Sequence, residues 1–139
     1  MPSIDELVQT VLRFADGDEV EGILSVYAQI RAQASLEDLP ILLNALQSDR
    51  GDFWVREMLA EPIAYLGGPG VLPELLHAYE RNREGGHDND SFTIHLIDLV
   101  ELNPEESGDV LRRIMDSESA DLRPAAEWLL QYSASGTSP

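Results

Sequence analysis

The chemically versatile side chains of this protein are few. Its three histidines are His77, His87 and His95, and it has no cysteine. His87 stands beside Asp88 and Asp90 in the run His87-Asp88-Asn89-Asp90, a donor set that could hold a divalent cation weakly. The same carboxylates precede an apolar stretch, where acids favour the positive end of a helix dipole. That helix-start reading accounts for the run without a metal. His77 and His95 lie in leucine-rich stretches, which suits packing or an interface. Glu105-Glu106 follow Asn103-Pro104 and mark another helix start. There is no Gly-rich phosphate loop, no Gly-x-Ser-x-Gly turn and no His-Glu-x-x-His helix. The sequence therefore predicts no catalytic residue, no metal ligand and no cofactor, and the chain reads as a non-enzyme.

Recognition is better supplied. At 100° per residue, Val55, Leu59, Pro62, Ile63 and Leu66 share one side of a helix, and Trp54, Glu57, Glu61 and Tyr65 share another. The second side mixes acids with aromatics, a combination common at binding hot spots. A shift of about 37 residues lays Glu61 over Asp98, with Glu101 following, so stacked helices would align these acids in a ridge. The acidic loops ending at Asp52 and Asp90 would frame the ridge on one edge. Candidate partner-binding residues are thus Asp52, Trp54, Glu57, Glu61, Tyr65, Asp88, Asp90, His95, Asp98 and Glu101.

The charge balance says what such a ridge would take. Net charge is -17, and all nine basic residues are arginine. An acidic surface repels a phosphate backbone, which disfavours nucleic acid, and steers basic proteins toward it. No apolar run approaches the roughly 20 residues that span a bilayer, so no membrane role is expected. The start MPSIDELVQ is acidic and already helical in pattern rather than signal-like. With no cysteine for disulfides, a cytoplasmic protein is expected.

The elements that would position these residues are all helical, because apolar spacing near 3.6 persists along the chain and no period-two alternation interrupts it. Eight helices are predicted, over about Ile4–Ala15, Glu19–Gln33, a third from Ser35, Asp52–Leu66, Val71–Arg83, Ser91–Leu102, one from Asn103, and Ala120–Tyr132. Ser3 with Glu6, and Ser35 with Asp38, have capping-box spacing. Pro40, Pro73 and Pro104 sit in first turns, where a missing N–H costs little. Pro62 falls inside the fourth helix and should bend it. The sixth helix, with Phe92, Ile94, Leu96, Ile97, Leu99, Val100 and Leu102, is apolar on most sides, which predicts a central place. One domain is expected over 1–132, followed by a mobile tail over 133–139.

The helix starts repeat. Leu39-Pro40 aligns with Leu72-Pro73, and Val55-Arg56 aligns with Leu122-Arg123, giving a period of about 30 to 38 residues. Asp49, Val55-Arg56 and Ala60 in one unit, and Asp116, Leu122-Arg123 and Ala125-Ala126 in another, resemble the HEAT-repeat superfamily. A middle unit departs from that pattern, with Thr93 where arginine is expected. The resemblance covers roughly Leu36 to Tyr132. It implies an α-α superhelix of about four antiparallel helix pairs, with second helices lining the concave surface. A small acidic domain of this kind also looks like a bacterial immunity protein, which binds and neutralises a cognate basic toxin. The all-arginine basic set fits a GC-rich bacterial genome. The alternative implied is a regulatory or assembly adaptor, similar to the HEAT-like partners of bilin lyases. HEAT-like DNA glycosylases need a basic concave surface, the opposite sign to this one.

Overall fold

The computed structural model describes residues 3–15, 17, 22–48, 53–86, 89–117 and 121–135. The described residues form helices and no strand: α1 (Ile4–Ala15), α2 (Ile23–Gln33), α3 (Leu39–Leu46), α4 (Phe53–Gly67), α5 (Leu72–Glu84), α6 (Asp90–Leu102), α7 (Pro104–Asp116) and α8 (Arg123–Ser135). Short 3-10 turns, Leu36–Asp38 and Gly68–Val71, lead into α3 and α5. The chain is all-α.

Local chemistry explains the starts and stops. The Ser3 hydroxyl accepts the Glu6 N–H at 3.2 Å, closing the first turn of α1. The Asp38 carboxylate reaches back to accept the Ser35 N–H at 2.9 Å, so the capping pair initiates the 3-10 turn and α3 begins one turn later than expected. Gly22 occupies the left-handed region at φ 68° immediately before α2, which begins at Ile23; residues 19–21 of the helix expected from Glu19 lie outside the described residues. Between α4 and α5 the run Gly67-Gly68-Pro69-Gly70 has two strict demands. Gly68 has φ 63°, and a Cβ on Gly67 would collide with the Val71 side chain. At the other end, α8 begins at Arg123 and continues to Ser135, past the expected boundary at residue 132. Residues 136–139 of the expected tail lie outside the described residues.

The helices bury one continuous core. Ile30, Leu42, Leu46, Leu59, Ile63, Leu72, Leu76, Phe92, Leu96, Leu111 and Leu129 are all fully buried. Helix α1 packs on α2 and α3, α3 on α4, and α7 broadly on α8. The even-numbered helices form a row, α2 on α4, α4 on α6 and α6 on α8. Helix α4 is the hub, touching α1, α2, α3, α5 and α6. The central place expected for α6 is therefore held by α4. Part of the apolar surface of α6, at Ile94 and Leu102, is left facing outward.

A buried polar network fixes α4 against α5 and α6. Arg56 Nε donates to Asn82 Oδ1 at 2.6 Å, and Asn82 Nδ2 donates to the Phe53 carbonyl at 3.2 Å and to Asn89 Oδ1 at 3.0 Å. Asn89 Nδ2 in turn donates to the Tyr79 carbonyl at 3.2 Å. Asn82 is fully buried, so each of its polar atoms needs such a partner. Arg123, aligned with Arg56 by sequence, does different work: it is exposed and donates to the Met115 carbonyl at the end of α7, at 3.2 Å.

Candidate protein-binding face

Two aromatic groups brace the row of even-numbered helices. The first contains Trp54, whose ring lies 5.3 Å from Phe14 and 4.9 Å from Tyr27, edge-on to the latter. Trp54 is half-buried and packed against the core. It thus holds α4 to α1 and α2, whereas the helical wheel placed it on the same side as the exposed Tyr65. The reason is geometric: α4 is the hub, so a side that a single outer helix would expose is covered by α1 and α2. The second group stacks Tyr79 on Trp128 at 5.9 Å and sets Tyr79 edge-on to Phe92 at 5.7 Å, joining α5, α8 and α6.

Glu57 is also engaged. Its carboxylate accepts the Ser91 N–H at 3.0 Å, which caps the start of α6 from the neighbouring helix. One turn along, the Glu61 carboxylate bridges Arg31 of α2 at 3.0 Å and His95 Nε2 of α6 at 3.6 Å. These two contacts, in step along both helices, mean that α4 and α6 run side by side and parallel. Their C-terminal ends meet the same cleft, at Gly68 and Asn103.

That cleft is the most distinctive surface among the described residues. It has a volume of about 420 Å³ and is lined by Glu61, Ala64, Tyr65, Ile94, His95, Asp98 and Leu102. Tyr65 is 88% exposed, Leu102 80% and Ile94 58%, an unusual amount of apolar surface for one small area. A smaller cavity of about 240 Å³ continues from it toward Tyr27, Arg31, Met58 and Pro62. Asp98 and Glu101 are exposed and pair with no basic side chain among the described residues. The last turns of α4 and α6 carry no basic residue of their own to offset the negative ends of their helix dipoles.

The expected site residues thus divide. Glu61, Tyr65, His95 and Asp98 meet at one cleft, and Glu101 is exposed on the same helix as Asp98. Trp54 and Glu57 hold helices together. Asp52 and Asp88 lie outside the described residues, as does His87, and Asp90 opens α6 with a side chain outside the description. Sequence reasoning missed Arg31, and it listed Leu102 only among the apolar residues of the sixth helix. The signal for Leu102 was present, since it directly precedes Asn103-Pro104, where the helix ends and little remains to cover it. Nothing in the pattern of α2 singled out Arg31.

Chemically, the face offers complementarity rather than an assembled reaction centre. Ser91 precedes His95 by one turn on α6, yet no hydrogen bond joins its hydroxyl to the imidazole, which faces Glu61 instead. No three His, Asp or Glu side chains converge among the described residues. No described helix is long and apolar enough to cross a membrane. Comparisons with family models, with curated proteins and with solved structures each return no match to the chain.

Proposed function

We propose that this protein is a non-catalytic, HEAT-like stack of helix pairs that binds a basic protein partner on its α2/α4/α6 face. The observation that carries the reading is the joint exposure of Tyr65, Ile94 and Leu102 beside Asp98 and Glu101, acids without a basic partner among the described residues, on a chain of net charge -17. Apolar side chains at the centre of a patch supply lifetime, and surrounding charge of one sign supplies encounter rate and selectivity. The repeat of Leu39-Pro40 at Leu72-Pro73, and the row of α2, α4, α6 and α8, support the HEAT-like arrangement. In its most specific form, the protein is a bacterial immunity protein and the partner a basic toxin domain.

The test has two stages. Affinity capture from the source organism, quantified by mass spectrometry against a bare matrix, identifies the partner. Expression of that partner alone and together with this chain then reads growth. The immunity reading expects a basic protein that arrests growth alone and is silenced by co-expression. A harmless basic partner would sink the immunity reading and favour the adaptor. Capture of acidic partners only would sink the binding mode as well.

A further inference from the structure

We infer that the cleft between the C-terminal halves of α4 and α6 receives an amphipathic basic helix of the partner. Its Lys or Arg meets Asp98 beside the Tyr65 ring, and its apolar side chains lie on Ile94 and Leu102. This rests on the proposed binding of a basic protein and names the element that the site accepts.

The walls dictate the occupant's chemistry. Tyr65 rises from α4 and Ile94 and Leu102 from α6, so apolar surface flanks the cleft on both sides. An occupant must therefore present apolar side chains at more than one position. Between Ile94 and Leu102, on the same wall, stands the exposed acid Asp98. Asp98 lacks a basic partner among the described residues, and two parallel helix C-termini add partial negative charge at Gly68 and Asn103. A cation there gains from the carboxylate, from the two dipoles and from the face of an almost fully exposed aromatic ring. Toward α2, Glu61 is already paired with Arg31 at 3.0 Å, which leaves Asp98 as the principal charge for an incoming group.

The secondary structure of the occupant follows from what the site lacks. An extended peptide gains most of its affinity by pairing its backbone with a sheet edge, and the described residues contain no strand. A helix satisfies its own backbone and needs only side-chain contacts, which a cleft between parallel helices provides at one-turn spacing. A second copy of this chain would bring a net charge of -17 to an acidic cleft and is opposed by repulsion.

The experiment is a selection of displayed random peptides on the immobilised full chain at low salt. The most enriched sequence is then synthesised and titrated against wild type, Tyr65→Ala, Asp98→Asn and Leu102→Ser, each checked by circular dichroism for an unchanged fold. The expected peptide carries Lys or Arg between apolar residues spaced three or four apart and gains helicity on binding. Its affinity falls by at least about tenfold on Tyr65→Ala and by about fivefold on Asp98→Asn. Basic peptides that bind all variants like wild type overturn the cleft and leave the basic-partner reading standing. Selection of acidic peptides, or of none, overturns both. Peptides that bind in an extended form, or self-association of the chain that Leu102→Ser abolishes, overturn the helical occupant.

Discussion

Two aromatic residues on α4 separate the forces that hold this molecule from those it turns outward. Trp54 touches Phe14 and Tyr27, whereas Tyr65 is almost wholly exposed. Trp54→Ala is expected to lower unfolding stability by about 3 kcal/mol in urea titration, through lost burial and a residual cavity. Tyr65→Ala is expected to stay within about 0.5 kcal/mol of wild type. Equal losses for the two would contradict this division. Asn82 is the polar counterpart of Trp54. Asn82→Ala removes the acceptor that faces Arg56 and two donated bonds, and is expected to cost about 2 to 3 kcal/mol by the same measurement. A cost under about 0.5 kcal/mol would mean that the buried network is not a stabilising brace. No apolar periodicity marks Asn82, because its importance comes from meeting residues of two other helices.

At the scale of elements, α4 is tied to α6 by the Glu57 cap and by the contact of Glu61 with His95. Glu57→Ala leaves the Ser91 N–H without its carboxylate, and about 1 kcal/mol of stability should go with it, read by thermal unfolding. Glu57→Gln keeps an acceptor and should recover more than half of that loss. Pro62 is buried within a continuous α4. Pro62→Ala restores a backbone donor without adding bulk, so the variant should fold and unfold within about 1 kcal/mol of wild type. Failure to fold would show that neighbouring helices rely on the ring itself. The helices were legible in the sequence because each has an apolar stripe and most have a chemical start or stop, as at Ser3 and the Gly67-Gly68 pair. The starts shifted where a 3-10 turn intervened before α3. The hub role of α4 was not legible: α6 has the more apolar sequence, and some of that surplus lies at Ile94 and Leu102, where no helix covers it.

For the whole molecule, the parallel packing of α4 and α6 brings acids far apart in sequence to one cleft. Glu61, Tyr65 and Asp98 were readable as neighbours because helical spacing and the repeat both point there. Helical spacing grouped Trp54 and Glu57 with them, although both touch neighbouring helices, because a helical wheel shows where side chains point and not which helix comes to meet them. Arg31 comes from α2, which only helical spacing marked in the sequence. With net charge -17, association with a basic partner should be fast and steeply dependent on salt, while its lifetime should depend on the apolar side chains. The cleft between α4 and α6 is the proposed binding surface. Its most direct test is surface plasmon resonance of the captured partner against wild type, Asp98→Asn and Tyr65→Ala at about 50 mM and about 300 mM salt. Slower association and a shallower salt dependence are expected for Asp98→Asn, and dissociation at least about tenfold faster for Tyr65→Ala. Unchanged association and dissociation for both variants at the lower salt would contradict it.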